Sequence, residues 1–227
     1  MSLSYGHDSE SKVAEIAFDD GKANVMSTAW FQELNGLLDR AEKDAAVAVL
    51  FRGRSGMFSG GLDMKWLPTL SPEEGRELVD TFSSTMLRVF GLPIPTVAVV
   101  TGHAVAGGCV LSSACDQRFC LEGPYRIQMN EVLVGMAMPT WAAVICQGAW
   151  PAPAANDLLL LGRAFSPAEA VACGAFHAAE PDEVALLARA RATAKAMAMI
   201  GAGPYRTTKA RLRGPEIERA RSLVFGE

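Results

Sequence analysis

Several familiar signals are missing from this chain. Its 227 residues include only three histidines and five cysteines, and no two cysteines form a C-x-x-C pair. An odd number of thiols without that spacing excludes a disulfide framework and a structural zinc site. Cys109, Cys115, Cys120, Cys146 and Cys173 are therefore expected as reduced, largely buried thiols, and the protein as cytoplasmic. The opening MSLSYGHDSESK lacks the apolar core of an export signal, and the closing FGE is no lipidation or peroxisomal address. The most apolar stretch, 93–115, is broken by Gly102, His103, Gly107 and Gly108, so no membrane span is expected. Positive charge is in deficit, with 21 Lys and Arg against 25 Asp and Glu, and a net charge of −4 disfavours a nucleic-acid partner. Neither a phosphate-binding G-x-x-x-x-G-K-[ST] loop, nor the dinucleotide G-x-G-x-x-G, nor a G-x-S-x-G nucleophile elbow occurs.

What is present describes a folded domain. Half the residues are hydrophobic and a fifth are charged, which excludes disorder and supports one sizeable core. Residues 12–18 alternate as a half-buried strand, and 3–7 are placed to pair with them through a turn at Asp8–Ser11. GKANVMS (21–27) reads as a loop ending in Ser27, the N-cap of a helix that lines up Trp30, Leu34, Leu37, Leu38 and Ala41. Residues 46–51 are a continuous apolar run, the pattern of a strand buried on both faces, and 96–102 reads as a second apolar strand; 53–61 reads as a loop and 117–121 as a third strand. Ser71-Pro72-Glu73-Glu74 is a helix start with a capping box, and Ser166-Pro167-Ala168-Glu169 is another helix start. From 140 onward the pattern is mainly helical. Strands alternating with helices indicate an α/β domain, with a boundary expected near 150 between a core (1–150) and a helical region (151–227).

Two glycine pairs follow buried strands: Gly60-Gly61 and Gly107-Gly108. Glycine permits positive φ and close backbone approach. Backbone N–H groups at a strand-to-helix turn have no internal partner and attract negative charge. Two of them converging on one oxygen would form an oxyanion hole.

These turns sit inside a larger resemblance. FSGGLDM (58–64), PTVAVVTGHAVAGGCVLSSACDQRF (95–119) and NEVLVGMAMP (130–139) resemble three successive motifs of the crotonase, or enoyl-CoA hydratase/isomerase, superfamily. KANVMS (22–27) is similar to its early loop, and SPAEAVACGAF (166–176) extends the likeness. The resemblance implies an α/β, crotonase (ClpP-like) fold: repeated ββα units in two roughly perpendicular sheets, with C-terminal helices that assemble a homotrimer or a dimer of trimers. It implies an acyl-CoA thioester substrate and no separate cofactor, coenzyme A entering as part of the substrate. Carried over by motif, the oxyanion donors are the N–H groups of Leu62 and Gly107. Gly60, Gly61, Asp63 and Met64 would flank the thioester and adenine, and Lys22 and Ala23 would lie along the nucleotide and pantetheine.

Carboxylates separate the family's activities. Hydratases resemble one another in carrying two glutamates, since water must be activated and a proton delivered. The first position here is Val110; the second is Glu131. The segment Asn130 to Trp141 is similar to that of the Δ3-Δ2-enoyl-CoA isomerases, which share Leu62 before the aspartate. The resemblance therefore implies isomerisation of a 3-enoyl-CoA to a 2-enoyl-CoA by Glu131 alone, in an apolar pocket supplied by Val110, Met136 and Trp141, with Asn130 and Trp141 at the substrate. Another crotonase-type reaction (weak hydration or thioester hydrolysis), with Glu77 or Asp80 as second carboxylate, and a non-catalytic acyl-CoA-binding role are the alternatives. His103 and Asp116 read as structural. Trp141 is either pocket wall or core. KARLR (209–213) reads as a solvated helix face or a phosphate contact, and Met197, Met199 and Ile200 as core or subunit contact.

Overall fold

The computed structural model describes residues 3–223, so the FGE end read above lies outside the described residues. β1 (Leu3–His7) and β2 (Val13–Phe18) pair antiparallel. Asp8 holds their turn: its carboxylate accepts the N–H groups of Glu10 and Ser11. β3 (Val25–Met26) leads into α1 (Thr28–Lys43), where the Ser27 hydroxyl accepts the Trp30 N–H as the N-cap. β4 (Ala48–Arg52), β5 (Gly56–Ser59) and β6 (Gly61–Leu62) follow, then a 3-10 turn at Leu67–Thr69 and α2 (Pro72–Gly91). The α2 capping box is complete, with the Ser71 N–H donating to Glu74 at 2.7 Å and the Glu74 N–H to Ser71 at 3.2 Å. Next come β7 (Thr96–Val100), β8 (Gly102–Val105), α3 (Gly107–Ala114), β9 (Gln117–Leu121) and β10 (Ile127–Gln128). A second 3-10 turn, Glu131–Val134, precedes α4 (Thr140–Gln147), α5 (Ala152–Leu160), α6 (Pro167–Ala172), β11 (Ala178–Glu180), α7 (Glu183–Met197) and α8 (Ala202–Leu223).

Six strands form the main sheet in the order β1-β2-β4-β7-β9-β11, parallel throughout except for β1. Side chains alternate across it. Val49, Phe51, Ala98 and Val100 enter the larger core beneath α1, α2 and α3, while Leu50, Val97, Val99 and Phe119 meet Leu186, Ala190 and Ala194 of α7. Both faces are covered, which is why the central residues of β4 and β7 are apolar on both sides. β10, β8 and β5 form a smaller parallel sheet, and β3 pairs with β6. Three expectations are corrected here. The 21–27 and 53–61 loops contain short strands, the apolar run 96–102 divides between two sheets at Thr101, and the helical end returns β11 to the main sheet. No helix among the described residues is long and apolar enough to cross a membrane.

The basic run on α8 is not a solvated face. Lys209 is 5% exposed and its Nζ donates to Asp116 Oδ2 at 2.9 Å; Arg213 reaches Asp116 Oδ1 at 3.0 Å. The same carboxylate accepts the Tyr205 hydroxyl at 2.6 Å and the Thr96 N–H at 2.8 Å. Asp116 thus ties α8 to the start of β7, in the structural role expected of it. Arg211 and Leu212 between the two cations are exposed. Of the three apolar residues near the end of α7, Met197 packs against the α7 core, while Met199 and Ile200 are exposed.

Candidate active site

The site is assembled from four chain segments that the short strands bring together. Asp20 folds the 19–27 loop back on itself by accepting the N–H groups of Lys22, Asn24 and Val25. Asn24, in the left-handed region at φ 49° and 1% exposed, then reaches the carbonyls of Phe18 and Phe58 with its amide. Ser59 donates to the Asn24 carbonyl at 2.7 Å and accepts the Gly61 N–H at 3.1 Å. These bonds seat β3 against β6 and fix Gly61 and Leu62. Asn24 and Ser59 were not singled out from sequence. An asparagine tolerant of positive φ, inside a loop of Asp and Gly, was the available signal.

Gly61 has φ +83°, and a Cβ there would stand 2.8 Å from the Gly107 nitrogen and 2.9 Å from the Ala106 Cβ. The two glycine turns are therefore in direct contact. On the other side, Ala106 holds φ 47° and ψ −118°, a strained conformation for alanine, and so aims the Gly107 peptide that begins α3. Gly61→Ala is expected to cost about 1–3 kcal/mol, read as a lower urea midpoint at unchanged slope. An unchanged midpoint would mean that the close approach of the turns is not needed.

A cavity of about 520 Å³ opens in front of these turns. Leu62, Gly107, Glu131, Gly60, Met64, Asn130 and Trp141 all line it, so seven of the expected site residues meet there. Met136 lines it as expected; Val110 does not, being 1% exposed within the main core. Gly61 lies at the contact of the turns rather than on the wall. Asp63 accepts the Lys65 N–H. The Ala23 carbonyl accepts the Gly60 N–H at 2.8 Å, and exposed Lys22 gives its carbonyl to Arg54 at 2.8 Å; neither residue lines the cavity. Glu77 and Asp80 are exposed on α2 and do not line it either. His103 accepts the Arg126 N–H through Nδ1 and crosses the Tyr125 ring, a structural role.

The expectation for Trp141 resolves to both alternatives. It lines the cavity and is 4% exposed, with its ring centre 4.6 Å from Phe82 in an edge contact. Phe82 stacks on Phe31 at 4.7 Å, and Phe31 meets Trp30 at 5.3 Å. Each buried ring contributes roughly 1.5–3 kcal/mol, more than the ~1 kcal/mol of a single turn hydrogen bond, so ring packing dominates the stability of this wall.

Glu131 starts the 3-10 turn Glu131–Val134. It is the one ionisable side chain lining the cavity among the described residues, and its Oε2 is buried without a hydrogen-bond partner. Burial pushes its carboxyl above the usual glutamate range, against the opposing pull of the N–H groups of Glu131 and Asn130. A half-buried carboxylate with one buried, unpartnered oxygen thus lines the same apolar cavity as Leu62 and Gly107, the residues expected to supply the oxyanion donors.

Comparison with known proteins agrees in kind. The family described as enoyl-CoA hydratase/isomerase matches residues 8–219. A human mitochondrial protein named enoyl-CoA delta isomerase 1 is 30% identical over 179 residues, 78% of this chain and 59% of that one. A putative enoyl-CoA hydratase of Thermus thermophilus is 35% identical over 196 residues, 84% of this chain and 76% of that one. The crystal structure of human mitochondrial delta3-delta2-enoyl-CoA isomerase superposes with a TM-score of 0.93 at 26% identity, covering 98% of this chain and 87% of that one. The chain spans 59%, 61% and 60% of the length of the human, rat and mouse relatives. Relatives of both names occur, and with nearly its whole length matched, the chain belongs to the enoyl-CoA hydratase/isomerase family and carries its crotonase fold.

Proposed function

We propose that the protein isomerises 3-enoyl-CoA thioesters to 2-enoyl-CoA thioesters, with Glu131 as the sole proton carrier. The observation that carries this reading is the unpartnered Oε2 of Glu131 in a cavity whose lining holds no second ionisable side chain among the described residues. The Glu131 carboxylate removes a proton from carbon 2. The electrons move into the thioester carbonyl, and the N–H groups of Leu62 and Gly107 hold the resulting dienolate oxygen. The Glu131 carboxylic acid returns the same proton to carbon 4, and the double bond becomes conjugated. No water enters. Hydration would need a second group to orient the water; Val110 occupies the core, and Glu77 and Asp80 lie off the cavity.

Two backbone donors at the developing oxyanion supply the main stabilisation, about 3–4 kcal/mol for each. The reading includes a place in fatty acid metabolism, a cytoplasmic location supported by five free thiols, and assembly as a homotrimer or dimer of trimers.

Ultraviolet absorbance with a trans-3-enoyl-CoA tests it. The absorbance of the conjugated thioester is expected to grow; an unchanged spectrum with acyl-CoA bound would refute the assignment. The pH profile adds a second test. Glu131 must be ionised to start the reaction, so kcat/KM should fall on the acid side with its limb above the ordinary glutamate range. A limb at about 4.3, the value of an unperturbed glutamate, would show that the buried carboxyl is not the base.

A further inference from the structure

The acyl-CoA reading leaves open where the rest of the acyl chain goes, and α2 answers in a pattern. Gly75, Leu78, Val79 and Phe82 stand at helical spacing on one face, and all four line the cavity. The inner end of this stripe is at the reacting groups. A Cβ on Gly107 would stand 3.1 Å from the Phe82 ring, and Phe82 touches Trp141. Leu67 and Leu70 line the same cavity. From Phe82 to Gly75 the helix rises roughly 10 Å. A carbon chain with bonds of about 1.5 Å advances roughly 1.25 Å per carbon, so an acyl group anchored at Gly107 draws level with Gly75 near its ninth carbon.

Glycine is a poor choice for helix formation at this position. It sits in the first turn of a helix otherwise well started, and its N–H donates to the Ser71 carbonyl at 2.9 Å. A Cβ placed on it would meet no atom within 4 Å. The space beside it is open, and the absence of a side chain keeps it so.

We propose that Gly75 sets the acyl-chain length the protein accepts: the bare helix surface leaves the outer channel open to unbranched acyl chains of roughly ten carbons or more. This rests on the acyl-CoA reading of the cavity, not on the isomerisation itself.

Gly75→Leu supplies the test. The helical backbone accepts leucine without strain, so the melting temperature should hold or rise. Calorimetric titration with hexanoyl-CoA and dodecanoyl-CoA compares the two proteins. The unsubstituted protein should bind dodecanoyl-CoA at least about tenfold more tightly than hexanoyl-CoA. Gly75→Leu should lose that preference while binding hexanoyl-CoA as before. Equal affinity of the unsubstituted protein for both lengths, retention of dodecanoyl-CoA by the variant, or an equal loss of both thioesters would overturn the assignment of Gly75. Saturated thioesters have no double bond to move, so a failed isomerase assay leaves this readout intact. Failure of the unsubstituted protein to bind either thioester would overturn the acyl-CoA reading and this inference together.

Discussion

Glu131→Gln is expected to lower turnover of a 3-enoyl-CoA by about 10²–10⁴-fold, the usual contribution of a positioned general base, while acyl-CoA binding survives. The glutamine amide has the size of the carboxyl and cannot accept the carbon 2 proton. The donors proposed to hold the thioester oxygen are backbone N–H groups of Leu62 and Gly107, which the substitution leaves in place. Stability should move the other way. Burial raises the folded-state pKa of Glu131, so the folded protein binds more protons than the unfolded chain between the unfolded and folded pKa values. Stability is therefore lost as pH rises through that window, and a neutral glutamine removes the loss. A variant with unchanged turnover would end the single-base mechanism. A variant that is inactive but also loses acyl-CoA binding and melts early would show that Glu131 serves the fold instead.

The second large effect concerns Asp116. Asp116→Ala is expected to destabilise the protein by about 3–5 kcal/mol, because it leaves Lys209 and Arg213 as charges without their carboxylate. Lys209 is 5% exposed by its side chain and Arg213 19%, so water cannot replace what is lost. For a chain of this length that corresponds to a fall of roughly 6–20 °C in melting temperature. Burial raises the Asp116 pKa, but Lys209, Arg213 and the hydrogen bonds from Tyr205 and Lys209 outweigh it, and the net shift is downward. The stabilisation is complete above the unfolded aspartate pKa and disappears as pH falls through the lower folded value. The gap between the parent protein and Asp116→Ala should therefore close in acid. A loss under about 1 kcal/mol, the scale of an exposed pair, would show the contacts to be incidental.

Much of the main sheet is legible because its causes are local. The Ser71 capping box, the helix start at Ser166, the Ser27 cap and the apolar stretches at 46–51 and 96–100 each state their structure within a few residues. What escapes is built from distant partners. β3 and β6 are two residues long, too short for any period, and exist because Asn24 and Ser59 bond to each other's segments. β11 reads Ala-Ala-Glu and becomes a strand only by pairing with β9. Lys209 and Arg213 look like solvated cations until Asp116 is set beside them. In the site, the glycine pairs stand out by their place after buried strands, whereas Glu131 was found through resemblance and not through pattern. Gly75 drew no attention, since a glycine in a helix carries no signal until the space beside it is seen.

The Asp116 contact also bears on how the protein is made. Its Lys209 partner lies 93 residues further along the chain. At a ribosomal pace of about 5–20 residues per second, the aspartate waits roughly 5–20 s before that cation has been synthesised. During this interval β7 and β9 can pair, but the start of β7 faces an uncompensated acid where the α8 cations will later dock. Until α8 arrives, Asp116 can bond only to neighbours in the sheet such as Thr96, and the clamp from Tyr205, Lys209 and Arg213 closes last.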